Sequence, residues 1–143
     1  MELNELKHNK LKTQADAVQF FLQRMDIEMV SDILDDNRTY QGFEKIIFIH
    51  KLGVAINELI ATGDTFLDCY RGICNAEDCN YKCSGYSFIG NNSKNYIDLI
   101  IDIKEGVVHD IYECSQFKNL ETGFQKKKRI RIDHSKIRLS PPF

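Results

Sequence analysis

Residues 95–116 read NYIDLIIDIKEGVVHDIYECSQ, and the fold turns on them. Over 95–103 the apolar residues Ile97, Leu99, Ile101 and Ile103 alternate with Tyr96, Asp98 and Asp102, with Ile100 joining the second set. A period of two is that of a strand with one face on a core. Lys104-Glu105-Gly106 fits a three-residue hairpin loop with glycine in the left-handed position, and 107–116 returns as the partner strand. That register sets Ile103 opposite Val107, Ile101 opposite His109, Leu99 opposite Ile111 and Ile97 opposite Glu113. It places His109 and Glu113 among apolar neighbours.

Two more strands precede this hairpin, at 65–73 and 81–90, rich in β-branched and aromatic residues and followed by the turn Asn91-Asn92-Ser93. Further upstream the period changes to that of helices. Ala17, Val18, Phe20, Phe21, Leu22 and Met25 follow helical spacing over 13–24, and Asp26 can cap a second helix that ends at Asp35-Asp36-Asn37. Residues 38–41 suit a short strand before Gly42. A third helix over about 43–61 carries Ile46, Ile47, Phe48, Ile49, Leu52, Val54, Ala55, Ile56, Leu59 and Ile60, apolar on so many sides that it predicts a helix covered nearly all round. Helices first and antiparallel strands after make an α+β domain over 13–117, with a polar segment at 1–12 and a basic extension at 118–143.

The composition suits one globular core. The 143 residues are 43% hydrophobic and 28% charged, outside the ranges of disordered, collagen-like or coiled-coil chains. No apolar run has the length of a membrane span or signal peptide, so the expectation is a cytoplasmic protein with no membrane partner. The net charge of −2 hides a split: residues 126–138 carry +6 and the remainder −8. Ile130 and Ile132 alternate with Arg129 and Arg131, and Ile137 and Leu139 with Lys136 and Arg138. This is a cationic strand pattern. It could lie along nucleic acid phosphates or an anionic membrane surface, but the simpler use is to extend the sheet or dock on its own acidic body or a dimer mate, and nucleic acid is not the expected partner.

The order of two helices, short strand, long helix and four antiparallel strands resembles the nuclear transport factor 2-like superfamily, also called SnoaL-like or cystatin-like. Three stretches carry the resemblance: Arg24-Met25-Asp26-Ile27-Glu28 with Ile33-Leu34-Asp35-Asp36-Asn37, similar to that family's "R-G-D-hydrophobic-E … L-L-x-D-D" helix pair; the long helix after Gly42; and the hairpin 101–111. The resemblance implies a cone-shaped curved sheet wrapped on the N-terminal helices, an apolar pocket in the cone, and a homodimer through the outer sheet face. It does not decide function, because enzymes and non-catalytic binding domains share the fold. The general-base Asp of the ketosteroid isomerases falls near Gln41, which has no titrating carboxylate. The helix-one Tyr falls near Val18, and the oxyanion-holding Asp near Leu99 or Asp98. Isomerase chemistry by that set is not expected.

His109 and Glu113 remain as candidates for acid and base roles in a pocket, about 13 Å apart along a strand. The competing reading is an edge histidine and a paired glutamate. His50, in the apolar third helix, is either a satisfied core histidine or a ligand contact. Tyr40, Leu99, Ile101 and Ile111 are the other candidates to line a site for a small apolar ligand.

Four cysteines, Cys69, Cys74, Cys79 and Cys83, fall in the spacing C-x4-C-x4-C-x3-C on both arms of an expected hairpin turning near 76–78, with Cys69 across from Cys83 and Cys74 nearly across from Cys79. Thiolates suit zinc, yet the C-x2-C knuckles of zinc modules are missing and extended strands would spread the pairs too far for one ion. A zinc site, a disulfide such as Cys74 to Cys79, and thiols buried as small apolar groups all stay open. Cys114 is left over. No resident cofactor is expected. The leading expectation is a non-catalytic domain binding a small ligand or a protein; the rivals are a dehydratase, isomerase or cyclase using His109 and Glu113, and a zinc-stabilised module.

Overall fold

A computed structural model describes residues 13–75 and 84–133. Among the described residues three helices precede the main sheet. Thr13 caps α1 (Gln14–Gln23), its hydroxyl accepting the Asp16 N–H at 3.1 Å, and the helix buries Ala15, Ala17, Val18, Phe21 and Leu22. The chain reverses at Met25, whose φ of 59° is the left-handed conformation that favours glycine. Asp26 then caps α2 (Ile27–Ile33) through the Met29 N–H at 3.1 Å.

Residues 43 and 44 are strand where the periodicity predicts helix. β1 (Thr39–Tyr40) and β2 (Phe43–Glu44) form a hairpin on Gln41 and Gly42, with φ of 54° and 79°, so α3 starts only at the next residue (Lys45–Ala61). The main sheet follows: β3 (Leu67–Cys74), β4 (Ser84–Gly90), β5 (Tyr96–Lys104), β6 (Val107–Tyr112) and β7 (Phe117–Asn119), all antiparallel in the order β6-β5-β4-β3-β7. The expected strand over 107–116 therefore divides. β6 stops at Tyr112, and four residues carry the chain across the sheet end to β7 on the opposite edge.

The core lies between helices and sheet. Phe48, Leu52, Ile56 and Leu59 of α3 meet Leu67, Phe88, Ile97, Leu99, Ile101, Val108 and Ile111. Ile130 and Ile132 join the same cluster, each burial worth about 1.5–3 kcal/mol. They reach it because β6 leaves the first residues of β5 unpaired on that edge. There the segment after residue 126 runs parallel to β5: the Lys127 N–H donates to the Lys94 carbonyl (2.8 Å), Tyr96 N–H to Lys128 (2.9 Å) and Ile130 N–H to Tyr96 (2.7 Å).

On the sheet side away from the helices, residues 117–126 lie over Gly72, Gly85, Ser87 and Asp98. The Phe117 ring sits so close to Gly72 and Gly85 that a Cβ there would meet it at 2.3 and 2.7 Å. Phe124 stacks on Tyr70 at 4.1 Å. Lys126 reaches Asp98 at 3.3 Å, the Asn119 side-chain Oδ1 at 2.7 Å and the Tyr96 ring at 4.2 Å. At the other end of the sheet, buried Asp64 ties the end of α3 to the β4–β5 turn, accepting the N–H groups of Asn92 (2.8 Å) and Ser93 (2.7 Å) and the Ser93 hydroxyl (2.6 Å). No helix of the described residues is long and apolar enough to cross a membrane.

Candidate functional site

The β5–β6 hairpin corrects the expected register. Its loop has two residues, Glu105 and Gly106 with φ of 54° and 80°, so Lys104 pairs with Val107 and Ile103 with Val108. A bulge follows, and beyond it Ile101 faces Ile111 and Asp102 faces Asp110. Val108 and Ile111 take the core positions, and His109 is the extra residue. Its Nδ1 lies 3.0 Å from the Arg38 guanidinium. Arginine only donates, so Nδ1 is the acceptor and the proton sits on Nε2. Arg38 in turn donates to Asp35 at 3.0 Å.

Glu113 has a different set of partners. Its Oε2 accepts the Ile132 N–H at 2.8 Å and lies 3.8 Å from Arg131; its Oε1 accepts from the Asp133 N–H at 3.3 Å and the Gln41 amide at 3.2 Å. Gln41 completes the clamp by accepting the Glu113 N–H at 2.9 Å. The glutamate is thus a buried anchor joining the β1–β2 turn to residues 131–133. A carboxylate so saturated has little left to offer a substrate proton. His109 and Glu113 are held by separate networks, with Asp110 between them. Burial pushes the Asp110 carboxyl up, the N–H groups of Gln41 (2.9 Å) and Ile111 (2.8 Å) pull it part way back, and Asp102 across the ladder adds to the rise.

The apolar candidates are packing residues. Tyr40, Leu99, Ile101 and Ile111 are buried in the core cluster, with the Tyr40 ring 5.6 Å from that of Phe48 and its hydroxyl donating to the Asp35 carbonyl at 3.2 Å. Burial, and then Asp35, raise the Tyr40 pKa. A surface cleft of about 570 Å³ lies instead among Asp36, Arg38, Glu44, Lys45, Ile46 and Ile49, and another of about 500 Å³ among Arg24, Asp26, Gly53 and Asn57; none of the four lines either.

The β3–β4 register corrects the expected cysteine pairing. Cys69 stands across from Phe88, not Cys83, and faces the helices, where the Gln19 amide reaches its sulfur at 3.4 Å. Burial pushes its thiol up to about 12. Cys74, five residues on, is on the opposite side of the strand, so these two do not converge on one ion. Cys79 and Cys83, and with them the proposed Cys74–Cys79 pair, lie outside the described residues. Among the described residues Cys114 lies beside Cys74, sulfur to sulfur 3.4 Å, a pairing across 40 residues that no spacing signal announces.

The third helix is not covered all round, contrary to expectation. Phe48, Leu52, Ala55, Ile56 and Leu59 are buried, while Ile46, Ile47, Val54 and Ile60 are 75%, 44%, 53% and 47% exposed. His50 is exposed on this face too, so it is not a core histidine. The exposed row has a symmetry that its burial pattern makes visible. About the midpoint between Gly53 and Val54, Ile46 corresponds to Ala61, Ile47 to Ile60 and His50 to Asn57, and the buried positions Phe48, Leu52, Ala55 and Leu59 map onto one another. Reversed end for end, these three pairs keep the order apolar, apolar, polar, while exposed Val54 and Glu58 fall on half-buried Gly53 and Ile49.

No family model matches the chain, and neither the curated proteins nor the solved structures yield a match.

Proposed function

We propose that this protein is a non-catalytic interaction domain of the nuclear transport factor 2-like type, and that α3 pairs with α3 of a second copy. The exposed apolar row on α3, whose outer positions repeat end for end, carries this reading. A two-fold antiparallel pairing makes residue i meet residue j and j meet i whatever the sequence, and the row adds that at these pairs apolar meets apolar and polar meets polar. Ile47 would then meet Ile60, and His50 would meet Asn57. The sheet face that the resemblance assigns to dimerisation supports the choice of α3 by being occupied already by Phe117, Phe124 and Lys126 of the same chain. The catalytic alternative has less support, since His109 and Glu113 are engaged in separate contacts.

From Ile46 to Ala61 the helix rises about 22 Å, and two helices that long share a strip of a few hundred Å², below the roughly 800 Å² per partner of a standard interface. The dimer is accordingly weak and concentration-dependent. Sedimentation equilibrium of the full chain tests it. A mass rising towards two chains with concentration, abolished by Ile47→Glu with Val54→Glu, supports the pairing. A monomer throughout, or a dimer that survives the double substitution, overturns it.

A further inference from the structure

The fold brings together Cys74, at the end of the interior strand β3, and Cys114, on the link between the two edge strands. Cys74 ends β3 and pairs with Phe117 of β7; Cys114 lies on the link that crosses from β6 to β7. Both are fixed by backbone bonds. The Asn75 N–H donates to the Gln116 carbonyl at 2.7 Å, locking the end of β3 to the link, and the Phe117 N–H donates to the Cys114 carbonyl at 3.3 Å. The Gln116 N–H is aimed at the Cys114 sulfur at 3.3 Å, and Arg129 donates to the Cys114 carbonyl at 3.3 Å. The two sulfurs are left 3.4 Å apart, Cys74 buried and Cys114 half-buried. A disulfide needs about 2.05 Å, so closure requires a shift of little more than 1 Å, within the reach of side-chain rotation.

We propose that Cys74 and Cys114 form a thiol–disulfide exchange site for small disulfides such as oxidised glutathione. Cys114 is the entry point because it is the more exposed of the two. Its thiolate attacks one sulfur of the small disulfide, forming a mixed disulfide and expelling one glutathione thiolate. The Cys74 thiolate then attacks the Cys114 sulfur, forming the internal bond and expelling the second. The protein loses two electrons, the small disulfide gains them, and the two thiol protons end on the released glutathiones. The bridge joins β3 to the β6–β7 link and so fastens the start of the segment that covers the outer sheet face. Cys69 is a built-in control, enclosed on the other side of β3 beside Gln19. The site does not depend on α3 pairing.

The test is to incubate the folded full chain with oxidised glutathione, alkylate the remaining thiols, and map the digest by mass spectrometry. Expected are an intact mass lower by about 2 Da, the loss of two hydrogens, and a linked peptide pair containing Cys74 and Cys114, with Cys69 alkylated only after unfolding. The same bridge forms in the Cys79→Ser/Cys83→Ser variant, and Cys114→Ser stops it. Bridging of Cys74 to Cys79 or Cys83 in the wild type, or Cys74 and Cys114 both recovered as alkylated thiols, overturns the proposal. The wild-type map decides the matter even if a variant fails to fold.

Discussion

On the helix side of the sheet, Leu67, Phe88, Leu99 and Ile111 meet Phe48, Leu52 and Leu59; on the outer side, Ser87 and Asp98 meet Asn119 and Lys126. Both sides exclude water, yet they do so by different physics. Aliphatic burial is non-directional and tolerates small shifts, whereas a buried carboxylate must be matched atom by atom. Asp98 has that match: the Ser87 hydroxyl donates to it at 2.5 Å, and the Lys126 ammonium lies at 3.3 Å. A single extended segment can therefore close the outer face, where the inner face takes three helices.

Emptying the helix side should cost most. Phe48→Ala should lose about 3–5 kcal/mol of stability by the cavity it leaves, read as a lower urea midpoint with unchanged slope; a loss under about 1 kcal/mol would mean that α3 does not close this core. On the outer face, Gly85→Ala forces a Cβ against the Phe117 ring at 2.7 Å and the Gly72 carbonyl at 2.9 Å. It should cost about 1–3 kcal/mol, and a double-mutant cycle with Phe117→Ala should show coupling above about 0.5 kcal/mol. Additive losses would place the ring elsewhere. Lys126→Met strands Asp98 and should cost about 1–3 kcal/mol, most of it recovered when Asp98→Asn is added; no recovery would show that the ion pair does not hold the segment down.

Only the directional contacts should respond to acid. Burial alone would raise the Asp64 carboxyl, but the hydrogen bonds from Ser93, Asn92 and Thr62 outweigh it and hold the carboxyl below its usual range. The unfolded chain takes up this proton first as pH falls, so the stability from Asp64 is present above the ordinary carboxylate value near 4 and is lost as pH drops through the folded value. Asp64→Asn should flatten the loss of urea midpoint between about pH 6 and about pH 3, and a variant as acid-sensitive as the wild type would refute the pin. At a concentration where the chain is monomeric, Val54→Glu on the exposed face of α3 should change stability by less than about 0.5 kcal/mol; a larger fall there would mean that this face packs against something within the chain.

Much of this was legible in the residues. The alternation of Ile97, Leu99 and Ile101 marks β5, Asp26 marks the start of α2, and Glu105-Gly106 marks a reversal. The register was not. One residue fewer in the turn and one more at the bulge exchange which β6 residues face the core, and that choice rests on Gln41 and Arg38, some 70 positions away. The exposure of α3 escaped for a related reason: its composition is apolar on every side, and hydrophobicity does not say which sides find a partner within the chain. The Cys74–Cys114 pair was hidden by distance along the chain, since it depends on the link across the sheet end and not on spacing among cysteines.

Local chemistry is enough to set helix, strand and turn, because capping, periodicity and backbone preference act over a few residues. It also shows that the basic segment beyond residue 126 has a strand pattern. Where that segment lies, which carboxylates it neutralises, which thiols meet and which helix face stays bare are long-range outcomes. They follow from filling one core and matching each buried charge, conditions on the whole chain at once that no window of sequence contains.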